Sequence, residues 1–162
     1  MLSINKLKVL NLIISKLEAD VAVSEQAVQM ARDTATHKDC LGSSKYETMG
    51  LEASYLAQGQ GTRLLELERS LAYFRQLKLN TQTATHIQLT SLFTVENDNG
   101  KQQVLWMAAD AGGLMVTYQK YIITVITPKS PLGKALLGKA DGDDFELNIA
   151  GKKCTYQVTS LA

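Results

Sequence analysis

Between Leu7 and Ala35 one face recurs at alternating spacings of three and four: Leu7, Leu10, Ile14, Leu17, Val21, Ser24, Val28, Ala31 and Ala35. Ser24 is its only polar member, and this spacing is the seam of a coiled coil. A second series follows the same rule through Tyr46, Gly50, Ala53, Ala57, Gln60, Leu64, Leu67, Leu71 and Phe74, large at its far end and small near Gly50. Between the two, periodicity fails over His37-Lys38-Asp39-Cys40-Leu41-Gly42-Ser43-Ser44, where turn formers gather. Ser44 followed by Glu47 reads as a capping box that opens the second helix. The pattern predicts an antiparallel hairpin with arms of about 50 Å, thin and least stable at its tip. Such a rod suits insertion into a channel; periodicity alone equally allows a dimerising coiled coil.

After Asn80 the period changes from helix to strand. Thr85 to Phe93 alternates polar and apolar residues as a half-buried strand does. Asn97-Asp98-Asn99-Gly100 signals a turn, with Gln103 to Ala108 as the returning strand. Asp110-Ala111-Gly112-Gly113 is another turn, followed by apolar runs at Leu114 to Tyr118 and Tyr121 to Ile126. Ser130-Pro131-Leu132-Gly133-Lys134-Ala135-Leu136-Leu137-Gly138 reads as a short helix, capped by Ser130, with Pro131 first and Gly138 last. Asp141-Gly142-Asp143 leads to a strand at Phe145 to Ile149, and Gly151 turns into Cys154 to Val158. The fold class is α+β: a helical hairpin over 1–79, with its tip near 37–45, then an antiparallel sheet with one short helix over 80–162.

Composition sharpens this division. Residues 1–80 hold no proline, whereas 81–162 hold both prolines and seven of the eleven glycines. Charge does not divide: ten basic and nine acidic residues precede Leu79, seven of each follow it, and the formal net charge is +1. That balance argues against a protein that tracks phosphates directly. With 45% hydrophobic and 20% charged residues, the chain is not disordered. No apolar run is long enough to span a bilayer, and the N-terminal stretch is cut by Asn11 and Ser15, unlike a signal peptide. Cys40 and Cys154 suggest neither a disulfide framework nor a metal site. A cytoplasmic protein without membrane contact or cofactor is expected.

The run Ser-Pro-Leu-Gly-Lys-Ala-Leu-Leu-Gly-Lys at 130–139, then Asp-Gly-Asp and two closing strands, resembles the C-terminal domain of the Gre transcription elongation factors. The hairpin, with Lys45-Tyr46-Glu47 opening its second arm, is similar to that family's coiled coil, and residues 45–56 resemble a divergent, Gre-like branch. The resemblance implies an FKBP-like C-terminal fold and one partner, bacterial RNA polymerase. It implies that Ser130 and Pro131 face the rim of the polymerase's secondary channel while the tip residues Asp39, Ser43, Ser44, Lys45, Tyr46 and Glu47 approach its active centre. In that family, acidic tip residues hold a Mg²⁺ ion shared with the polymerase, which then cleaves its own backtracked transcript. Here the position of the family's loop glutamate falls on Ser43, with Ser44 next to it; Asp39 remains, beside Lys38, as the candidate metal ligand, and Glu47 lies past the turn on the second helix. The expectation is a monomeric regulator, not an enzyme, that meets nucleic acid only through the polymerase, with transcript cleavage weakened or lost.

Three other readings remain open at this point. Asp39 could suffice for an authentic cleavage factor. The implied fold allows a prolyl isomerase, although 6% aromatic residues leave little to build its pocket. The seam allows a dimeric adaptor. Single residues carry bland readings as well: His37 and Cys40 as surface positions, His86 as structural, Trp106, Tyr118, Tyr121 and Phe145 as core aromatics, and Lys152-Lys153 as a solubilising turn.

Overall fold

The computed structural model describes residues 3–36, 44–80 and 82–162, with the backbone alone at 36 and 44–47. Two compact units emerge, one of Ile14–Arg75 and one of Met1–Ile13 with Gln76–Ala162. The elements are α1 (Lys6–Thr36), α2 (Ser44–Gln76), β1 (Leu92–Asn97), β2 (Gln102–Met107), β3 (Met115–Tyr118), β4 (Tyr121–Ile126), α3 (Pro131–Leu136), β5 (Asp144–Ile149) and β6 (Lys152–Leu161).

Asn5 starts α1: its Oδ1 accepts from the Lys8 amide at 3.1 Å, satisfying one orphan donor of the first turn. In the helical unit both periodic series face inward. Leu17, Ser24, Val28 and Ala31 are buried on α1, and Leu67, Leu71 and Phe74 on α2. Ile14, Val21, Ala35, Ala53, Ala57, Gln60 and Leu64 are half-buried. The series fails at its first member, since Leu7 is 57% exposed. The first turns of α1 belong to the sheet-bearing unit, where Ile4, Val9, Leu10 and Ile13 are the buried residues.

The register of the two helices is visible on the page of contacts they share. Arg75 donates to Glu18 at 2.7 Å, and one groove of about 400 Å³ is lined by Glu18, Val21, Ala22 and Glu25 from α1 and Glu68, Leu71, Ala72 and Arg75 from α2. Counting along both seams from this anchor aligns Leu17 with Phe74, Val21 with Leu71, Ser24 with Leu67, and Val28 with Leu64. It continues through Ala31 with Gln60 to Ala35 with Ala57. On the distal part of α2, Met49, Leu51, Tyr55 and Leu56 are 46 to 66% exposed.

The other unit is built on a six-stranded sheet in the order β3-β4-β2-β1-β6-β5. The six expected strands were read as an antiparallel sheet throughout; instead β2 and β4 are parallel, and every other pair is antiparallel. After β2 the chain skips one strand position to β3, and the tight Gln119-Lys120 return lays β4 into the gap. Alternation marks a strand but not its neighbour, so the crossover escaped the pattern. The strand expected from Thr85 begins only at Leu92: Thr90 takes a left-handed φ of 74°, and residues 85–91 form turns, leaving His86 outside any strand. Gly100 turns β1 into β2 at φ 73°, with Asn97 Oδ1 accepting from the Asn99 and Lys101 amides at 3.1 and 2.8 Å.

One face of this sheet holds a core of Ile87, Phe93, Val95, Leu105, Met107, Ile126, Leu136, Phe145 and Val158. On the other face Leu92, Trp106, Ile123 and Val125 are fully buried. Trp106 and Phe145 are core aromatics as expected, whereas Tyr118 and Tyr121 are half-buried. Lys120 instead lies over the Tyr121 ring at 5.3 Å.

Candidate functional site

The Ser-Pro helix is the best-defined candidate. Ser130, in extended conformation, caps α3: its Oγ accepts from the Gly133 amide at 3.0 Å. The same hydroxyl donates to the Thr127 carbonyl at 2.9 Å, and the Ser130 amide reaches that carbonyl at 3.1 Å. Pro131 occupies the first helical turn, where no amide proton is needed. Gly138 follows the last turn at φ 81° and donates to the Ile87 carbonyl at 2.8 Å, while the Ile87 amide donates to the Lys139 carbonyl at 2.7 Å. The helix is thus held at both ends by backbone. Its buried side is Gly133 and Leu136, packed on the core with Leu132 and Ala135. Its outer side presents Pro131, Lys134 and Leu137.

Gly133 is the residue that sequence reasoning passed over. A Cβ there would stand 1.9 Å from the Thr127 carbonyl oxygen and 2.7 Å from its carbon. Only a hydrogen fits between the helix and the strand exit. The signal available in the sequence was a glycine inside a predicted helix, where its propensity cost calls for a packing reason.

Of the tip residues, Asp39 and Ser43 lie outside the described residues, as do His37 and Cys40. Ser44, Lys45, Tyr46 and Glu47 form the first turn of α2, and their side chains, with the expected capping box, also lie outside what is described. The structure therefore brings none of them into a stated geometry. Among the described residues no group of three His, Cys, Asp or Glu side chains could hold a metal ion. The tip sequence itself holds two carboxylates, Asp39 beside Lys38 and Glu47 on the first turn of α2, few oxygen ligands for a hard Mg²⁺.

Other candidates resolve into structure. His86 pairs with Thr85 Oγ1 at 2.9 Å. Lys153 bridges Glu146 at 2.7 Å across the β5–β6 hairpin. Cys154 is a half-buried free thiol. Among the described residues no helix is long and apolar enough to cross a membrane.

Residues 117–162, from β3 through β6, match the family described as transcription elongation factor GreA/GreB, C-terminal domain. The GreA transcription elongation factors of Brucella canis and of Brucella melitensis biotype 1 are each 22% identical over 134 residues, 83% of this chain and 80% of theirs. Among solved structures, GreA factor homolog 1 (Gfh1) of Thermus thermophilus is similar at 20% identity, with a TM-score of 0.38, over 92% of this chain and 94% of that one. A GreA/GreB factor of Nitrosomonas europaea is similar at 17% identity and a TM-score of 0.38, over 59% of this chain and 78% of that one. The family match on the C-terminal sheet and the GreA relatives over most of the length make this chain similar to the Gre-type transcription elongation factors.

Proposed function

We propose that this chain binds bacterial RNA polymerase at the mouth of its secondary channel and modulates transcription through the hairpin, with little or no stimulation of transcript cleavage. The observation that carries the last point is the tip composition. By the resemblance Ser43 takes the place of the loop glutamate, Asp39 has Lys38 next to it, and Glu47 lies past the turn on α2. Two metals clamping an in-line phosphoryl displacement need several carboxylate ligands; one loop carboxylate beside an ammonium group supplies too few. The factor then acts by occupying the channel, as a monomer in the cytoplasm, and whatever chemistry occurs belongs to the polymerase.

Two features support the docking half. The outer side of α3 offers Pro131, Lys134 and Leu137 on a helix fixed at both ends, a rigid surface that loses little freedom on binding. The distal part of α2 exposes Met49, Leu51 and Tyr55. The test is pull-down with bacterial polymerase, followed by cleavage assays on backtracked complexes. Binding without cleavage is expected, with Ser43→Glu raising cleavage above the unaltered protein. Robust cleavage that disappears in Asp39→Ala would refute the cleavage half, and failure to bind polymerase would remove the whole reading.

A further inference from the structure

We propose that the hairpin carries a built-in weak layer at Ser24-Glu25 and Leu67-Glu68, from which its distal part opens while its proximal part stays paired. Ser24 is 6% exposed within an otherwise apolar stretch of seam, and its Oγ has no hydrogen-bond partner, not even a backbone carbonyl of its own helix. A buried hydroxyl left unsatisfied weakens the layer that contains it. At the same level Glu25 and Glu68 line one groove, and like charges flanking a coiled-coil seam oppose pairing. The cation of that groove is already engaged, since Arg75 bonds Glu18 one layer nearer the base.

The two sides of this layer are unequal. Toward the base stand Leu17, Phe74, Val21 and Leu71, large side chains closed by the Arg75–Glu18 bridge. Toward the tip the aligned pairs shrink to Ala31 with Gln60 and Ala35 with Ala57, and α2 carries Gly59 and Gly61 within three residues. Small seams bury little apolar surface, and glycines lower helix propensity. Proximal pairing therefore has enough burial to persist when the distal arms part. Polar seam residues are known to set coiled-coil register at a cost in stability; here that cost falls at the junction between a strong and a weak segment. This inference rests on the hairpin alone and stands or falls independently of polymerase binding.

Hydrogen exchange of the full chain under native conditions tests it. Amides of 25–35 and 50–66 should exchange together, well ahead of those of 14–23 and 68–75. Ser24→Ala should slow distal exchange on the order of tenfold. Ser54→Ala, an exposed site on the same distal stretch, should slow it only about twofold, through helix propensity. Glu68→Lys, which places a cation opposite Glu25, should add a further slowing that fades in high salt. A single opening step for the entire hairpin, or a Ser24→Ala effect no larger than that of Ser54→Ala, would overturn the proposal.

Discussion

A single carbonyl, that of Thr127, organises the start of α3, and two neighbouring side chains must suit it. Ser130 gives it a hydroxyl, and Gly133 gives it space. Gly133→Ala should cost about 1–3 kcal/mol, because backbone rather than a flexible side chain stands in the way; urea denaturation measures it. Ser130→Ala should cost less, about 1 kcal/mol for the lost cap. The opposite sign is expected in the β5–β6 turn, where Ala150 and Gly151 have φ of 51° and 79°. Two successive positive φ values favour Asn-Gly, so Ala150→Asn should raise stability by about 0.5–1 kcal/mol. The Ser-Pro cap was legible because it is local. Gly133 was not, since its constraint comes from a residue six positions earlier and outside the helix.

At the level of elements, the described members of the two helical series face inward apart from Leu7, and their mutual register was not read at all. A period of three and four says which residues face a partner but not which partner residue they meet. Arg75 and Glu18 decide that. The base of the hairpin should dominate its stability: Phe74→Ala, at a fully buried position, should cost about 3–5 kcal/mol by thermal or chemical unfolding. Gly59→Ala, where an added Cβ meets nothing within 4 Å, should instead gain up to about 1 kcal/mol of helix stability. In the sheet, the sequence pattern located β2 to β5 to within a residue, whereas β6 begins two residues earlier and ends three residues later than expected. The pattern overran at 85–91, where Thr90 breaks the extended chain, and it missed the parallel β2–β4 pairing.

For the whole molecule, the division between units does not follow the helix boundary. Residues 1–13 group with the sheet although α1 runs on without a break. Removing them would delete Ile4, Val9, Leu10 and Ile13, all buried in that unit. At roughly 1.5 kcal/mol or more per buried aliphatic side chain, the loss rivals a domain's net stability. A chain starting at Gln76 should therefore bind a hydrophobic dye and lose its cooperative melt, whereas the full chain should melt cooperatively. Assays of the second unit in isolation would test an unfolded protein.

The sequence by itself determined what depends on short spacing: two amphipathic helices, most of the strands, the Ser-Pro cap and the glycine turns. The tertiary structure decided what depends on distant residues meeting. Helix register, the insertion of β4 beside β2, the allegiance of α1's first turns and the need for Gly133 all belong to it. The physical reason is that period and propensity constrain which way a residue faces, while packing alone chooses what it faces.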